Sequence, residues 1–386
     1  MEFDVVIVGA GLVGASLARS LAASGLAIAL VEPSVPAPPE ERWDTRIYAL
    51  SPASKSFLES FDAWTELDAS RVTPVYSMHV CGDDARSRLE FSAYEAGVDA
   101  LAWIVESSRL QHAMWMQLER QQNVRLFCPA RPVAMSIRED GVVLDMEGGQ
   151  SISGKLLVGA DGADSWVRKS ADMPAHGRSY GQQGVVANFA CERPHRNAAY
   201  QWFRPDGVLA YLPLPGKLIS MVWSAPEALA AELLSLPAAE LSSRAALAGQ
   251  HVLGDLSPLA ACAAFPLHLL SVTSMVGPRI ALIGDAAHVI HPLAGQGVNL
   301  GFGDARDLAL MLSQRHPAGD AGDFSLLRRF ERSRAEDILA MRFVTDALAR
   351  LFGSNFPGIA RVRNFGLNLA NSLPVIRTWL VRRAAG

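Results

Sequence analysis

Three glycines and one acid near the start of the chain have types and spacing that can do chemistry. They lie in Gly9-Ala10-Gly11-Leu12-Val13-Gly14, with Glu32 following 18 residues after Gly14. A turn of this pattern between a strand and a helix binds a dinucleotide. Gly9 makes the tight turn, Gly11 lets the backbone approach a pyrophosphate, and Gly14 lets helix and strand pack closely. The amides of Leu12 and Val13 open the helix, whose N-terminus attracts a phosphate. Glu32, closing the next strand, can accept hydrogen bonds from a ribose diol.

The elements that must position these residues are legible around them. Phe3 to Val8 is rich in β-branched residues and reads as a buried strand. Leu12, Ala15, Leu17, Ala18, Leu21 and Ala22 recur at helical spacing, and Gly25 can end that helix. Ala27 to Val31 is a second apolar strand. The length, 386 residues, suggests two to three domains. With 50 % hydrophobic and 19 % charged residues the chain is expected to fold around a large core, which excludes disorder. The net charge of −4 argues against nucleic acid as a partner.

Two apparent motifs fail on chemistry. Gly149 to Lys155 begins like a phosphate loop, but Leu156 stands where Ser or Thr must hold magnesium; Gly148-Gly149 suits a hairpin turn instead. His288 and His291 lack a third ligand at zinc spacing, so no metal is expected. Cys81, Cys128, Cys191 and Cys262 form no Cys-x-x-Cys pair and read as reduced thiols of a cytoplasmic protein. The apolar run Val5 to Ala18 follows Glu2 and Asp4 rather than a basic leader, so no signal peptide is expected.

Two further turns follow strand-like segments. Lys155 to Val158 runs into Gly159-Ala160-Asp161-Gly162, and Ile280 to Ile283 runs into Gly284-Asp285-Ala286-Ala287-His288 and then Pro292-Leu293-Ala294-Gly295-Gln296-Gly297-Val298-Asn299. Together with the N-terminal glycines, in this order, they resemble the three signatures of FAD-dependent aromatic hydroxylases, the single-component flavoprotein monooxygenases. Thr45 to Ser51, Trp103-Ile104-Val105-Glu106, Gly207 to Leu214, Val222-Trp223 and the tail from Arg334 are similar to landmarks of the ubiquinone-biosynthesis hydroxylases, although Ser107 stands where that family often has Asn. The resemblance covers nearly the whole chain.

The resemblance implies a bound FAD, NAD(P)H as a transient co-substrate, and O₂ activated as a C4a-hydroperoxyflavin that hydroxylates an aromatic ring. The expected substrate is a polyprenyl phenol of ubiquinone biosynthesis. A small soluble aromatic, or a non-hydroxylating FAD-binding accessory subunit, is the alternative. The implied cofactor residues are Gly9, Gly11, Leu12, Val13, Gly14 and Glu32, then Arg46, Ser107, Asp161 and Asp285, and finally Pro292, Gly295, Gln296, Gly297, Val298 and Asn299 along the isoalloxazine. Arg46 would neutralise pyrophosphate charge and Asp161 would shape a cofactor-contact loop. Phe203, Leu209, Tyr211, Leu214, Met221 and Trp223, in alternating segments, are candidates for a dry substrate pocket. The catalytic group is not identified; Tyr211 and Pro292 are weak candidates.

The implied fold is mixed α/β. A Rossmann-like FAD-binding domain built from 1–72, 97–177 and 265–330 is interleaved with a β-sheet substrate domain from 73–96 and 178–264, and 331–386 forms a helical C-terminal segment. From Phe324 onward there are 11 Arg against 4 acids, and apolar residues recur at near-helical spacing. Such a segment suits a peripheral contact with the inner membrane face or with a multi-enzyme complex.

Overall fold

A computed structural model describes residues 1–82, 87–290 and 297–353, with side chains up to residue 343 in the last helix. Pro292, Gly295, Gln296 and the segment from 354 onward lie outside the described residues.

The first sheet is parallel at its centre. Strands Ile280–Leu282, Ser151–Gly159, Glu2–Val8, Ile28–Val31 and Val124–Phe127 lie side by side in that order, all pointing the same way. Val5 to Val8 and Ile28 to Val31 are buried throughout. That is why they read as unbroken apolar runs rather than alternating ones. The antiparallel strands Pro132–Ile137 and Val142–Met146 extend from Ser151–Gly159, and Gly148 and Gly149 turn that hairpin with φ of 85° and 84°. Helix Leu12–Ser20 packs between helices Ser107–Leu118 and Gly297–Ser313. Arg19 holds the first contact through Gln117 at 3.1 Å and Gln121 at 2.7 Å.

The second sheet is largely antiparallel. Its order is His288–Val289, Ala263–Val272, Ala175–Cys191, Leu218–Pro226, Gly207–Leu214, Ala198–Arg204, Ser77–Cys81 and Arg88–Ser92, with Leu256–Pro258 also paired to Ala175–Cys191. One face is covered by helices Glu227–Ser235 and Ala238–Ala248. A three-stranded sheet, Ile47–Leu50, Ala102–Glu106 and Thr73–Val75, lies against the opposite face through Ile47, Ala49 and Ile104, which pack on Leu212, Leu214 and Leu218.

Three expected boundaries fall inside elements: 177/178 in strand Ala175–Cys191, 264/265 in strand Ala263–Val272 and 330/331 in helix Phe324–Gly353. Ala263–Val272 pairs along its length with Ala175–Cys191, so the break expected at 264/265 cuts a strand of the second sheet. Thr73–Val75 pairs with Ala102–Glu106 rather than with the second sheet. These pairings join strands far apart in the chain. The last described helix runs from Phe324 to Gly353.

Candidate active site

The four loops singled out from the sequence follow the carboxyl ends of adjacent parallel strands. Gly159 is level with Leu282 and with Val8, and Val8 with Val31. Asp285, Asp161, the Gly9–Gly14 turn and Glu32 are therefore set along one sheet end, where open parallel sheets bind ligands. Backbone bonds stitch the row: Gly9 N donates to Val31 O at 2.9 Å, Ala160 N to Val8 O at 2.8 Å and Ile283 N to Gly159 O at 3.0 Å.

The three fingerprint glycines differ physically. Gly9 has φ of 101°, and a Cβ there would strike the Ala160 backbone. A Cβ on Gly14 would collide with the Gly9 carbonyl oxygen, so this glycine brings the helix onto the turn. Gly11 is the opposite case: a Cβ there meets nothing within 4 Å. Gly11 is also the N-cap of helix Leu12–Ser20, which has neither a capping side chain nor an acid in its first turn. The unpaired amides, the positive helix end and the open space beside Gly11 fit the pyrophosphate of a dinucleotide. Glu32 Oε2 accepts from Ala10 N at 2.7 Å, which fixes this carboxylate beside the turn.

Asp161 looks inward. Its carboxylate accepts from Ser165 Oγ at 2.5 Å and Val167 N at 3.0 Å, holding the turn that enters helix Trp166–Ser170. Asp285 is different: it is solvent-accessible yet hemmed in by protein, as expected on the floor of a cleft. Burial raises its pKa, against the pull of His288, His268 and Arg46.

Arg46, Tyr48 and Ser107 come together at this cleft. Burial raises the Tyr48 pKa, opposed by Arg46 and by a hydrogen bond with Ser107; Asp285 and Asp44 act in the raising direction. Ser107 N donates to Arg46 O at 2.9 Å, and the Arg46 guanidinium lies over the Phe265 ring at 5.1 Å. Asn299 ties its helix to the same strand: Nδ2 donates to Ala49 O at 2.9 Å, and Oδ1 accepts from Ser51 N at 2.9 Å. Gly297 and Val298 begin that helix.

Several residues that build the site had no assigned role in the sequence reading. Glu106, 2 % exposed, takes both Arg71 (2.8 and 2.7 Å) and Arg109 (2.9 Å), and also accepts from Asp44 N at 2.9 Å. Asp44 accepts from Ser108 N at 3.0 Å and Arg46 N at 2.9 Å. This network anchors the chain that delivers Arg46. In the interior, Asp304 accepts from His288 Nε2 at 2.6 Å, Gly284 N at 3.0 Å and Arg334 Nε at 2.9 Å. A carboxylate between Phe302 and Ala305 on the apolar face of a helix was the available signal, since such a charge must be paired. Among the described residues no group of His, Cys, Asp or Glu could hold a metal ion.

The expected substrate-pocket set divides between the two faces of the second sheet. Leu209, Tyr211, Met221 and Trp223 belong to the core under helices Glu227–Ser235 and Ala238–Ala248. They are corrected from pocket to core. The Tyr211 hydroxyl donates to Ala245 O at 2.6 Å and burial raises its pKa strongly, so it is not placed as a base either. Leu214 lies on the other face, against Trp43 and Ile47, and the pleat puts Phe203 there too, opposite to Trp202. On that face Ala210, Leu212 and Val222 remain partly accessible, and Asn188 Nδ2 reaches Asp44 O at 3.0 Å. The expected set mixes both parities of these strands, Leu209 and Tyr211 facing opposite to Leu214 on one strand, so it could not all line one face.

Comparison with known proteins agrees with this architecture. The family described as FAD binding domain matches residues 2–342. The chain is 36 % identical to the 3-demethoxyubiquinol 3-hydroxylase of Escherichia coli, over 99 % of this chain and 98 % of that protein. It is 35 % identical to the ubiquinone hydroxylase UbiL of Rhodospirillum rubrum, over 99 % and 89 %. In fold it is similar to P. aeruginosa PqsL in complex with 2-aminobenzoylacetate, with a TM-score of 0.79 at 23 % identity, covering 95 % of this chain and 99 % of that one. The chain belongs to the FAD binding domain family.

Proposed function

We propose that this flavoprotein is a monooxygenase that hydroxylates the aromatic ring of a polyprenyl phenol in ubiquinone biosynthesis, with NAD(P)H and O₂ as co-substrates. The observation that carries the reading is the 36 % identity, running nearly end to end, to the 3-demethoxyubiquinol 3-hydroxylase of Escherichia coli, combined with the alignment of the fingerprint turn, Glu32, Asp161 and Asp285 along one sheet end. FAD, when bound, supplies electron transfer from the nicotinamide and the activation of dioxygen.

The chain's own residues bind, orient and exclude water. The amides of Leu12 and Val13 and the open side of Gly11 would take the pyrophosphate, with Arg46 offering its charge. Glu32 would hold the adenosine ribose, and Asp285 the ribityl side. Gly297, Val298 and Asn299 lead a helix whose positive end would face the flavin ring. The ring substrate would lie between this helix and the sheet face carrying Ala210, Leu212, Val222 and Phe265, whose apolar surface keeps water out.

Among the described residues no helix is long and apolar enough to cross a membrane. A prenyl tail partitions into lipid, so a peripheral membrane contact through the arginine-rich C-terminal segment suits this substrate. Liposome flotation of the full chain against a 1–355 truncation tests that contact; equal flotation would refute it. The activity is tested by NAD(P)H oxidation with prenylated and unprenylated phenols. Stimulation confined to the prenylated compounds supports the reading, and stimulation by soluble phenols alone overturns it.

A further inference from the structure

We propose that Arg334 is a positioning residue for the cofactor: from helix Phe324–Gly353 it locks Asp304, and through Asp304 the Gly284 amide and the His288 imidazole that flank Asp285. The inference rests on the FAD placement proposed above. Asp304 is 0 % and Arg334 2 % exposed. The guanidinium gives Nε to Asp304 Oδ1 at 2.9 Å, one terminal nitrogen to Leu300 O at 3.3 Å and the other to Asp337 at 2.7 Å. The second oxygen of Asp304 takes Gly284 N at 3.0 Å and His288 Nε2 at 2.6 Å.

Room has been made for this arrangement. A Cβ on Gly303 would lie 2.6 Å from an Arg334 nitrogen. A Cβ on Gly301 would lie 2.6 Å from a Val13 methyl and 3.3 Å from the Gly284 Cα. The fingerprint helix, the Gly284–Asp285 turn and helix Gly297–Ser313 are thus wedged together, and Arg334 joins helix Phe324–Gly353 to them. Gly284 holds φ of 60°, a conformation whose amide direction a hydrogen bond can fix. A buried ion pair is weak evidence for stability, because an apolar pair of equal volume packs two helices as well. An apolar pair cannot accept from Gly284 and His288. Function therefore explains the charge where helix packing alone does not.

The test compares Arg334→Met, Arg334→Lys and, as a control on the same helix, Arg328→Met, which alters an exposed ion pair with Glu331. For each purified apoprotein, FAD affinity is measured by fluorescence titration, fold stability by thermal melting, and the bound flavin by its absorption spectrum and midpoint potential. Outer partners of a site typically change affinity about tenfold or more. Arg334→Met is expected to weaken FAD by about tenfold and shift the spectrum, Arg334→Lys to weaken it by about threefold because it lacks the planar fork, and Arg328→Met to match wild type. A folded Arg334→Met with wild-type affinity and spectrum overturns the inference, as does a fall in melting temperature with no change in either. If Arg334→Met does not fold, Arg334→Lys decides on the same readouts. Gly11→Asp run alongside separates the two claims. If it binds FAD normally, the placement falls and the inference with it; if it fails while both Arg334 variants bind normally, only the inference falls.

Discussion

The two large sheets present their candidate site residues in different ways. In the parallel sheet they sit in loops past the strand ends, and the strands themselves are buried on both sides. In the antiparallel sheet the residues fronting the cleft sit on the strands, alternating with core residues under helices Glu227–Ser235 and Ala238–Ala248. A loop site depends on residue type and order, whereas a face site depends on strand parity, which a single misread residue inverts.

The largest effect expected from breaking this contrast is at the loop end. Gly11→Asp puts a carboxylate where the pyrophosphate would lie and should weaken FAD by at least about a hundredfold, roughly 3 kcal/mol. The flavin-to-protein absorbance ratio after purification reads it directly, and a stoichiometric yellow protein would refute the placement. Asp304→Asn comes next, since it takes the charge from the carboxylate that receives Arg334 Nε and His288, while Asp337 and Asp307 remain on the guanidinium. A loss of about 1.5–3 kcal/mol is expected in denaturant unfolding.

On the antiparallel sheet, neighbours on one strand should behave oppositely. Met221→Ala opens the core and should cost about 2–5 kcal/mol of stability with kcat near wild type. Val222→Phe, one residue along, should leave stability within about 1 kcal/mol and raise KM for the ring substrate. If Met221→Ala changes KM and Val222→Phe does not, the face assignment is wrong. Tyr211→Phe removes the buried bond to Ala245 and should cost about 1 kcal/mol without slowing turnover; a large fall in kcat would restore it as a candidate base.

The smallest effect separates two acids by sign. Burial raises the Asp285 pKa, so its contribution to apoprotein stability is present below the ordinary carboxylate range and is lost as pH rises through the raised value. Asp304 is also buried, but His288 and Arg334 outweigh that and lower its pKa. Its contribution is present at higher pH and is lost as pH falls through the lowered value. Asp285→Asn should therefore reduce the decline of stability on going from acid to neutral pH, measured by melting temperature. A steeper decline would contradict the cleft environment assigned to it.

Much of the parallel half was legible because its signals are local. Phe3 to Val8, the glycine turn and the helix from Leu12 follow one another in sequence, so periodicity and spacing suffice. Arg46, Ser107 and Asp285 were implied by resemblance, and their convergence at one cleft is a tertiary fact. The strand Ala263–Val272 was placed across the wrong boundary because pairing with Ala175–Cys191 leaves no local mark. The Glu106 and Asp304 networks were missed for the same reason: their partners come from elements far apart in the chain. A buried acid in an apolar helix face nevertheless announces that a partner must exist, even when it does not say which.

The central claim is oxygen transfer from O₂ to an aromatic ring at an FAD held along the end of the parallel sheet. Turnover of the purified full chain with NAD(P)H, a prenylated phenol and ¹⁸O₂, followed by mass spectrometry of the ring product, tests it most directly. The account predicts a hydroxylated product carrying one heavy oxygen derived from the gas. NAD(P)H consumption with no hydroxylated product, or a hydroxyl oxygen derived from water, would contradict it.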